Sequence, residues 1–299
     1  MLEKFIKKAE VLIESLPYIK AFNMKTFVIK YGGAAMADES LKRNIIQNII
    51  LLKYIGINPI IVHGGGPLIT SYLEKTGIKS KFVNGLRVTN KDTINIVQMV
   101  LVGLINQEIV SLLNHYGGNA IGLSGKDANL IIARKHLPEE EYDAKEKKQQ
   151  KIDLGYVGEI EKIQPSILIN LSEKGYIPVI SPIGVGLDGE SYNINADVVA
   201  GEIAKALKAE KLIILTDVDG IYKVPDNKAT KVTSLTVNKA KEMIEKNQIK
   251  SGMIPKVKAC MEATLNGVKR THIIDGGEKH SMLLEIFTDK GIGTMVTKD

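Results

Sequence analysis

From Thr26 to the end of the chain, short apolar runs alternate with longer amphipathic segments. Strands are predicted at 26–30, 59–63, 177–181 and 211–216, where β-branched and other apolar residues are concentrated. Repeated strand–helix units form a mainly parallel sheet with helices on both faces. The alternation therefore predicts an α/β fold with about eight sheet strands.

The other predicted elements continue this alternation. Asp38 is the expected N-cap of the first helix in the series, and Gly56 closes it. Further strands are predicted at 119–123, 271–275 and 294–297. Helices are predicted at 38–55, 67–75, 90–115, 165–174, 196–208, 237–247, 254–266 and 280–286. In a sheet of this kind, ligands bind at the carboxyl ends of the strands.

An amphipathic helix is predicted at 2–14, before the first strand. Its apolar stripe consists of Leu2, Phe5, Ile6, Ala9, Leu12 and Ile13. Pro17 is expected to kink or end this helix. Because the alternation begins only at Thr26, the helix is an appendage that packs either on its own subunit or on another.

Residues 126–163 interrupt the alternation. Two short apolar runs, 130–133 and 156–160, flank a charged segment at 134–151. This pattern predicts a β-hairpin whose solvated tip is a disordered insertion. We assign no function to the tip.

Composition excludes several classes of protein. The net charge is +6, but the lysines are spread among 34 acidic residues rather than gathered into a stripe, and there is no Trp. Anionic small substrates are therefore favoured over nucleic acid. Cys260 is the only cysteine, and the five histidines lack metal-ligand spacing, so no disulfide or protein metal site is expected. No window approaches the roughly 20 apolar residues of a membrane span, and the charged N-terminus lacks a signal-peptide core, which favours the cytoplasm.

Two glycine-rich turns follow predicted strands. Lys30 ends the first strand and is followed by Gly32 and Gly33, which expose backbone N–H groups beside a cation. His63-Gly-Gly-Gly-Pro67 follows the second strand and opens a helix, whose positive end favours an anion. The plainer interpretation is a pair of tight turns. His63 itself is interpreted as a structural histidine.

Four further motifs carry polar side chains that suit an anionic substrate. Arg87 lies in a short loop, where a guanidinium either binds a carboxylate or decorates the surface. Asn193, Asn195 and Asp197 precede a helix that needs only one of them as its cap, so Asn193 is a candidate for substrate binding.

The other two motifs lie in the second half of the chain. Lys256 follows Pro255 at a helix N-terminus, where a bound anion would offset an unfavourable dipole contact of ~0.3–1 kcal/mol. Thr216-Asp217 follows a strongly apolar strand and either contacts a nucleotide or starts a simple Asp-Gly turn.

One glycine pattern matches a known motif but lacks its structural context, and we call it the decoy. Gly184-Val-Gly-Leu-Asp-Gly189 matches the dinucleotide fingerprint, but no helix opens within it. The sequence also lacks a P-loop motif. A dinucleotide dehydrogenase and a P-loop enzyme are therefore disfavoured.

Taken in order, the motifs resemble those of the N-acetyl-L-glutamate kinases within the amino acid kinase family. They are Ile29-Lys-Tyr-Gly-Gly, His63-Gly-Gly-Gly-Pro, Asn84-Gly-Leu-Arg-Val-Thr, Asn193-Ile-Asn-Ala-Asp, Leu215-Thr-Asp-Val-Asp-Gly and Gly252-Met-Ile-Pro-Lys-Val. The resemblance covers residues 26–297. It implies a three-layer αβα sandwich with an N-lobe, 23–197, that binds N-acetylglutamate and a C-lobe, 198–299, that binds ATP with Mg²⁺.

The resemblance also implies a reaction and assigns roles in it. The enzyme would phosphorylate the γ-carboxylate of N-acetyl-L-glutamate with ATP, giving N-acetyl-L-glutamyl 5-phosphate for arginine biosynthesis. Lys30 and Lys256 would stabilise the transferring phosphoryl group, and Asp197 would orient both lysines. The remaining implied contacts are Gly65, Gly66, Arg87 and Asn193 for the amino acid, and Gly33, Gly65, Thr216, Asp217 and Lys256 for phosphate or ATP.

The N-terminal helix and the C-terminal motifs resemble the arginine-inhibited, ring-forming subset of these kinases. That resemblance implies a homohexamer, built as a trimer of dimers, in which L-arginine acts as a feedback inhibitor. The implied arginine site consists of Tyr18, Lys211, His272, Glu285 and Gly291. Residues 1–22 would serve oligomerisation and regulation.

Alternatives remain at this stage. The acceptor could be a carrier-protein-bound aminoadipate or glutamate, because the sequence does not show the length of the pocket. A catalytically silent arginine sensor would keep the fold, although retention of Lys30 and Lys256 argues against it. The charged insertion around 135–151 departs from the family pattern and leaves the dimensions of the lid open.

Overall fold

The computed structural model describes residues 2–299 apart from 37, 144–147, 225–226, 250 and 289–290. Its helices are α1 (Leu2–Phe22), α2 (Glu39–Tyr54), α3 (Gly66–Lys75), α4 (Lys91–Gln98), α5 (Gln107–His115), α6 (Ser166–Glu173), α7 (Ala196–Ala206), α8 (Val237–Glu245), α9 (Ile254–Leu265) and α10 (Ser281–Phe287). A π-helical segment, Met99–Asn106, joins α4 to α5.

The strands of the first half are β1 (Thr26–Tyr31), β2 (Asn58–His63), β3 (Phe82–Val83), β4 (Leu86–Arg87), β5 (Ala120–Ser124), β6 (Ile131–Lys135), β7 (Glu139–Asp143), β8 (Lys148–Ile152) and β9 (Gly158–Ile163). The later strands are β10 (Ile177–Ser181), β11 (Ile183–Val185), β12 (Ser191–Asn193), β13 (Lys211–Thr216), β14 (Ile221–Tyr222), β15 (Lys231–Val232), β16 (Ser234–Thr236), β17 (Arg270–Asp275) and β18 (Thr294–Thr297).

The central sheet has eight strands in the order β16–β18–β17–β13–β1–β2–β10–β5. Strand β1 lies between β13 and β2 and pairs in parallel with both. The other strand pairs of the central sheet are also parallel, except that β17 and β18 run antiparallel. The prediction of a mainly parallel sheet of about eight strands is confirmed.

Both faces of this sheet are covered by helices, because its strands are apolar on both faces. Val28 packs in the core formed with α6, α7, α8 and α9, whereas Phe27 and Ile29 pack in the core formed with α2, α3, α4, α5 and α10. The layers therefore form the αβα sandwich that the resemblance implied.

The helical segment Lys91–His115 is long and apolar enough to cross a membrane by length and composition alone. The expectation that no window approaches a membrane span therefore needs correction. Val97, Leu101, Ile105 and Ile109 of this segment are buried in the core on one face of the sheet. Its apolar character is explained by packing as a core helix.

The hairpin predicted within 126–163 is confirmed, since β6 pairs antiparallel with β9. They form a second sheet in the order β12–β11–β6–β9. The expectation of a disordered tip is wrong for the described residues, because β7 and β8 form an antiparallel ribbon. Its register places Glu140 opposite Lys151, and opposite charges across a strand pair favour pairing. Residues 144–147 of the predicted tip lie outside the described residues.

Helix α1 continues through Pro17 to Phe22, so the prediction that it covers only 2–14 is too short. Its last turns pack on the body of the protein, which offsets the ~3 kcal/mol cost of an internal proline. Phe22 stacks edge-on against Phe27 at 5.3 Å, and Tyr18 against Phe287 at 6.3 Å. The earlier apolar stripe is exposed: its large exposed side chains are Leu2, Phe5, Ile6, Leu12 and Ile13. This stripe does not pack on its own subunit.

The proposed lobe boundary at 197/198 falls within α7. This helix is packed in the core that also contains Val28 of β1 and Val257 of α9. The two-lobe division stays a prediction.

Candidate active site

A cavity of about 630 Å³ opens at the carboxyl ends of β1 and β2. This is the sheet edge where parallel strands place ligands. The sequence-predicted residues that line it are Lys30, Gly33, Gly65, Gly66, Arg87, Asn193 and Asp197. The structure therefore brings together motifs that are far apart in the chain.

Lys30 and Asp197 line this cavity, and the Asp197 carboxylate is shared with Lys256, which is not among the lining residues. Asp197 Oδ1 lies 3.2 Å from Lys30 Nζ, and Asp197 Oδ2 lies 3.0 Å from Lys256 Nζ. The Lys256 contact is a hydrogen bond, whereas Oδ1 makes no hydrogen bond of good geometry. Burial raises the pKa of Asp197, but Lys30 and Lys256 outweigh burial and hold it below the usual 3.8. Asp197 is therefore ionised at neutral pH.

Each member of this cluster comes from a different element. Lys30 is the residue before the last of the buried strand β1, Asp197 lies in the first turn of α7, and Lys256 lies in the first turn of α9. A lysine at a helix N-terminus opposes the helix dipole. The sequence predicts a bound anion as the compensating charge, whereas in the structure Asp197 supplies one from within the protein.

The glycine turns present bare backbone to the cavity. Gly33 has φ +73, a conformation that favours glycine, and it packs against the backbone of Thr216 and Asp217. Gly66 opens α3 with Pro67 in its first turn, so the positive end of this helix faces the cavity. A side chain at Gly65 would overlap Leu101 and Ile105. Both predicted anion sites therefore lie at one sheet edge.

Arg87 is buried and held in a fixed orientation. Its Nη2 donates to Gly66 O at 3.0 Å and Thr70 Oγ1 at 2.8 Å, and its Nη1 donates to Ser80 Oγ. The guanidinium also stacks over the Phe82 ring at 4.5 Å. Burial lowers the pKa of Arg87. The surface-decoration alternative is excluded, since only 6% of the residue is exposed.

The two asparagines of the 192–197 motif have different structural roles. Asn195 is the N-cap of α7 and accepts hydrogen bonds from the backbone N–H of Asp197 and Val198. Asn193 lines the cavity, and within the described part of the chain its side-chain amide has no hydrogen-bond partner. This leaves Asn193 available for a ligand.

A second cavity, of about 570 Å³, lies at the carboxyl end of β13. Asp217 lines it, whereas Thr216 is buried behind and donates to Asp217 Oδ1 at 3.1 Å. Asp219 accepts from Tyr222 Oη and from Lys231 Nζ on the same wall. Burial raises the pKa of Asp219, but these two bonds outweigh it and lower the pKa.

Tyr222 and Lys231 were not predicted from the sequence. Tyr222 follows the Asp-Gly motif by two residues, and this closeness is the signal that could identify it. Lys231 lies in a short strand outside any motif.

The residues assigned to an arginine site also cluster. Lys211 Nζ lies 3.2 Å from His272 Nε2, and His272 Nδ1 lies 2.6 Å from Glu285 Oε1. Glu285 Oε2 accepts the backbone N–H of Ile292 and Gly293. A side chain at Gly291, which has φ +56, would crowd the Glu285 carboxylate. Four of the five assigned residues are therefore adjacent.

Burial shifts the pKa values of two side chains in this cluster. Burial, with a smaller contribution from Arg270, lowers the pKa of Lys211 to about 8. Burial also lowers the pKa of His272, although its bond to Glu285 opposes this. The ring of Phe22 in α1 lies 5.1 Å from Lys211 Nζ. Tyr18, one helical turn before Phe22, contacts Phe287 of α10.

Two further predictions are confirmed. His63 is fully buried, and both ring nitrogens have hydrogen-bond partners, as expected of a structural histidine. The Gly184–Gly189 decoy lies in and after β11, which pairs with β12 in a hairpin, so it does not open a helix.

Known proteins resemble this chain over most of its length. The sequence profile of the amino acid kinase family matches residues 25–275. A protein from Halothermothrix orenii, named acetylglutamate kinase, is 53% identical over 298 residues and covers 100% of both chains. Another acetylglutamate kinase, from Caldicellulosiruptor bescii, is 56% identical over 295 residues, which is 99% of this chain and 98% of that one.

Among solved structures, the N-acetylglutamate synthase from Neisseria gonorrhoeae is similar. Its complex with coenzyme A and N-acetyl-glutamate superposes with a TM-score of 0.82 at 26% identity. The match covers 97% of this chain but 63% of the synthase chain, so this chain spans less than two thirds of the synthase. The same synthase has been solved with coenzyme A and L-arginine, with a TM-score of 0.80 at 25% identity.

Proposed function

This chain belongs to the amino acid kinase family, and from that premise we propose that it transfers the γ-phosphoryl group of ATP to the side-chain carboxylate of N-acetyl-L-glutamate. The product is N-acetyl-L-glutamyl 5-phosphate, an intermediate of arginine biosynthesis. The observation that carries the assignment is the Lys30–Asp197–Lys256 cluster at the glycine-lined cavity that also holds Arg87.

The reaction needs no general base. At neutral pH the acceptor carboxylate is already ionised, and one of its oxygens attacks the γ-phosphorus of ATP. The new O–P bond forms as the bond from the γ-phosphorus to the bridging oxygen breaks, and ADP leaves with that electron pair. Catalysis then consists of positioning and electrostatic stabilisation.

The charged side chains and glycines have distinct roles in this proposal. Lys30 and Lys256 face the transferring phosphoryl group from two sides, and Asp197 holds their ammonium groups in place. Gly33, Gly65 and Gly66 leave room for phosphate oxygens to approach backbone N–H groups. The two lysines and Asp197 together carry one net positive charge, which favours an anionic transition state.

Arg87 and Asn193 hold the acceptor. Three of the five guanidinium donors of Arg87 are engaged by protein groups, which fixes its plane and leaves donors for a carboxylate of the amino acid. Asn193 offers a free amide across the same cavity. Gly65 and Gly66 complete the contacts to the amino acid.

The second cavity suits the nucleoside part of ATP. Asp217 lies at its wall and also close to Gly33, so a nucleotide there directs its phosphates toward Lys30. Within the described residues, no group of three or more His, Cys, Asp or Glu side chains could hold a metal ion. In this proposal Mg²⁺ enters as part of the substrate MgATP, bound through phosphate oxygens and water.

Regulation by L-arginine is the finer part of the proposal. The cluster of Lys211, His272 and Glu285 lies where α1 meets α10, and it supports an arginine site completed by Tyr18 and Gly291. The exposed apolar stripe of α1 supports a homohexamer in which this helix packs on a neighbouring subunit. We assign the reaction to the cytoplasm.

A trapping assay tests the function. The protein is incubated with N-acetyl-L-glutamate, MgATP and hydroxylamine, which converts an acyl phosphate into a hydroxamate that forms a coloured complex with iron. We expect hydroxamate that depends on both substrates. Parallel reactions with an aminoadipate analogue, with and without arginine, test the acceptor and the inhibitor. Absence of hydroxamate under all conditions would contradict the function.

A further inference from the structure

His63 has no role in the reaction described so far, yet it occupies a central position. It ends β2 directly before the glycine turn and is fully buried. Its Nδ1 lies 2.9 Å from Gly64 O, and its Nε2 lies 3.0 Å from Ser181 Oγ and 3.2 Å from Asn106 Nδ2. Both ring nitrogens are therefore satisfied.

The surroundings determine where its proton lies. Burial lowers the pKa of His63 to about 4, so the ring is neutral at pH 7. A carbonyl oxygen only accepts hydrogen bonds, so Nδ1 must carry the proton that it donates to Gly64 O. Nε2 is then the acceptor for the amide of Asn106.

This hydrogen bond fixes the orientation of the next peptide group. The Gly64–Gly65 peptide is trans, so its C=O and N–H point in opposite directions. With the Gly64 carbonyl held against His63, the Gly65 N–H points away from the buried ring. Gly65 lines the cavity, and its N–H has no hydrogen-bond partner within the described part of the chain.

The π-helical segment Met99–Asn106, whose Asn106 also contacts the His63 ring, packs against the same turn. Leu101 and Ile105 of this segment pack against Gly65, and Asn106 anchors it by donating to Val179 O at 2.9 Å. Glycine at 65 would otherwise allow the peptide to rotate. The turn is thus restrained by the hydrogen bond from His63 and by the packing of Leu101 and Ile105 against Gly65.

We propose that His63 is a positioning residue for phosphoryl transfer, whose Nδ1–H holds the Gly64–Gly65 peptide so that the Gly65 N–H donates to an oxygen of the transferring phosphoryl group. The proposal rests on the proposed function. His63 itself touches neither substrate.

Two substitutions separate this role from simple packing. His63→Leu removes the donor, and we expect kcat to fall about 100-fold, the cost of a lost transition-state donor, while KM for N-acetylglutamate changes less than about threefold. His63→Asn places an amide N–H near the position of Nδ1, and we expect it to recover about tenfold of the lost kcat. Thr264→Val, which removes a buried hydroxyl on α9 far from the turn, is the control for lost stability.

A measurement on the unmodified protein covers the case in which His63→Leu does not fold. In ¹⁵N NMR of histidine-labelled enzyme, we expect His63 as the neutral Nδ1–H tautomer from pH 5 to 8. The Nε2–H tautomer, or titration near the ordinary pKa, would overturn the proposal. So would an unchanged kcat in His63→Leu, or equal losses in the Leu and Asn variants. An inactive wild-type protein would instead refute the proposed function.

Discussion

At the scale of single residues, the shared carboxylate of Asp197 decides how the site works. Lys30 and Lys256 would repel each other if they faced the cavity without an anion between them. Asp197 removes this repulsion before substrate binds, and its lowered pKa keeps it ionised through the physiological range. Loss of its negative charge would require acidification below its usual pKa, so no inflection in activity above about pH 4 is assigned to it.

Replacing Lys30 with alanine tests this electrostatic role. We expect kcat to fall about 10²–10³-fold, because one of the two positive charges that face the transferring phosphoryl group is lost. Stability should fall less, because Asp197 keeps its hydrogen bond to Lys256. Steady-state kinetics and urea unfolding measure the two effects, with partly exposed Lys205→Ala on α7 as the control. An unchanged kcat would remove Lys30 from the mechanism.

Lys211 makes a prediction about pH and stability. Its pKa is about 8 in the folded chain against the ordinary lysine value of 10.5, so between these values the unfolded chain holds a proton that the folded chain lacks. The stability contributed by this site is therefore lowest below pH 8 and rises toward pH 10.5, by about 3 kcal/mol.

The variant Lys211→Met isolates this contribution. The unfolding free energy of wild type minus that of the variant should be flat from pH 6 to 8 and should rise between pH 8 and 10.5. Denaturant titrations at each pH give the difference. A flat difference across the whole range would show that the lysine has an ordinary pKa.

At the scale of elements, helix α7 couples local structure to chemistry. Its N-cap is Asn195, and the residue after the first helical position is Asp197. The cap therefore holds the backbone that carries the carboxylate between the lysines. Strand β12 ends two residues earlier and presents Asn193 to the cavity.

Alanine substitutions at Asn193 and Asn195 should affect different quantities, substrate binding at Asn193 and stability at Asn195. Asn195→Ala is expected to lower the unfolding free energy by about 1 kcal/mol through loss of the cap. Asn193→Ala should change stability by less than about 0.5 kcal/mol but raise KM for the acceptor about tenfold. Calorimetry on both variants measures the loss of stability, and steady-state kinetics measures KM for the acceptor. Identical signatures would show that the roles are wrongly divided.

Local patterns in the sequence predicted most of these elements. The strand–lysine–glycine stretch, the HGGGP turn and the α2 cap at Asp38 each depend on neighbouring residues, and each was found in its predicted place. The failures depend on packing and pairing contacts. Packing of Tyr18 on Phe287, far along the chain, holds α1 to the body of the protein beyond Pro17, and pairing of β7 with β8 orders part of the tip.

The site shows the same division. The glycine turns after β1 and β2, together with Lys30, predicted from the sequence alone an anion site at the sheet edge where the cavity lies. Among the supports of Arg87, Thr70 lies in α3, whereas Phe82 is paired with Arg87 across β3 and β4 and Ser80 lies just before β3. No motif in the sequence marks these three contacts.

At the scale of the whole molecule, the exposed stripe of α1 is the largest departure from a self-contained subunit. Leu2, Phe5, Leu12 and Ile13 each expose more than half of their surface in the isolated chain. Contiguous exposed apolar surface usually marks an interaction site. The end of α1 that packs on its own chain is also the end nearest to Lys211.

Two truncations test the role assigned to α1. Removal of residues 2–16 deletes the exposed stripe and keeps Tyr18 and Phe22, whereas removal of 2–22 deletes both. We expect dimers in place of hexamers in both cases, with catalysis retained and arginine inhibition weakened, more so in the longer deletion. Sedimentation velocity and inhibition curves report these outcomes. An unchanged large assembly after either deletion would contradict the interlaced-helix proposal.

The position of β1 at the centre of the sheet also has a consequence during synthesis on the ribosome. One edge of β1 pairs with β2 soon after both emerge, but its other edge pairs with β13, which begins at Lys211. Until Thr216 has left the exit tunnel, Phe27 and Ile29 belong to a strand with an open edge, which is prone to aggregation. Lys30 therefore reaches its working position late, when the nascent chain has nearly reached Lys256.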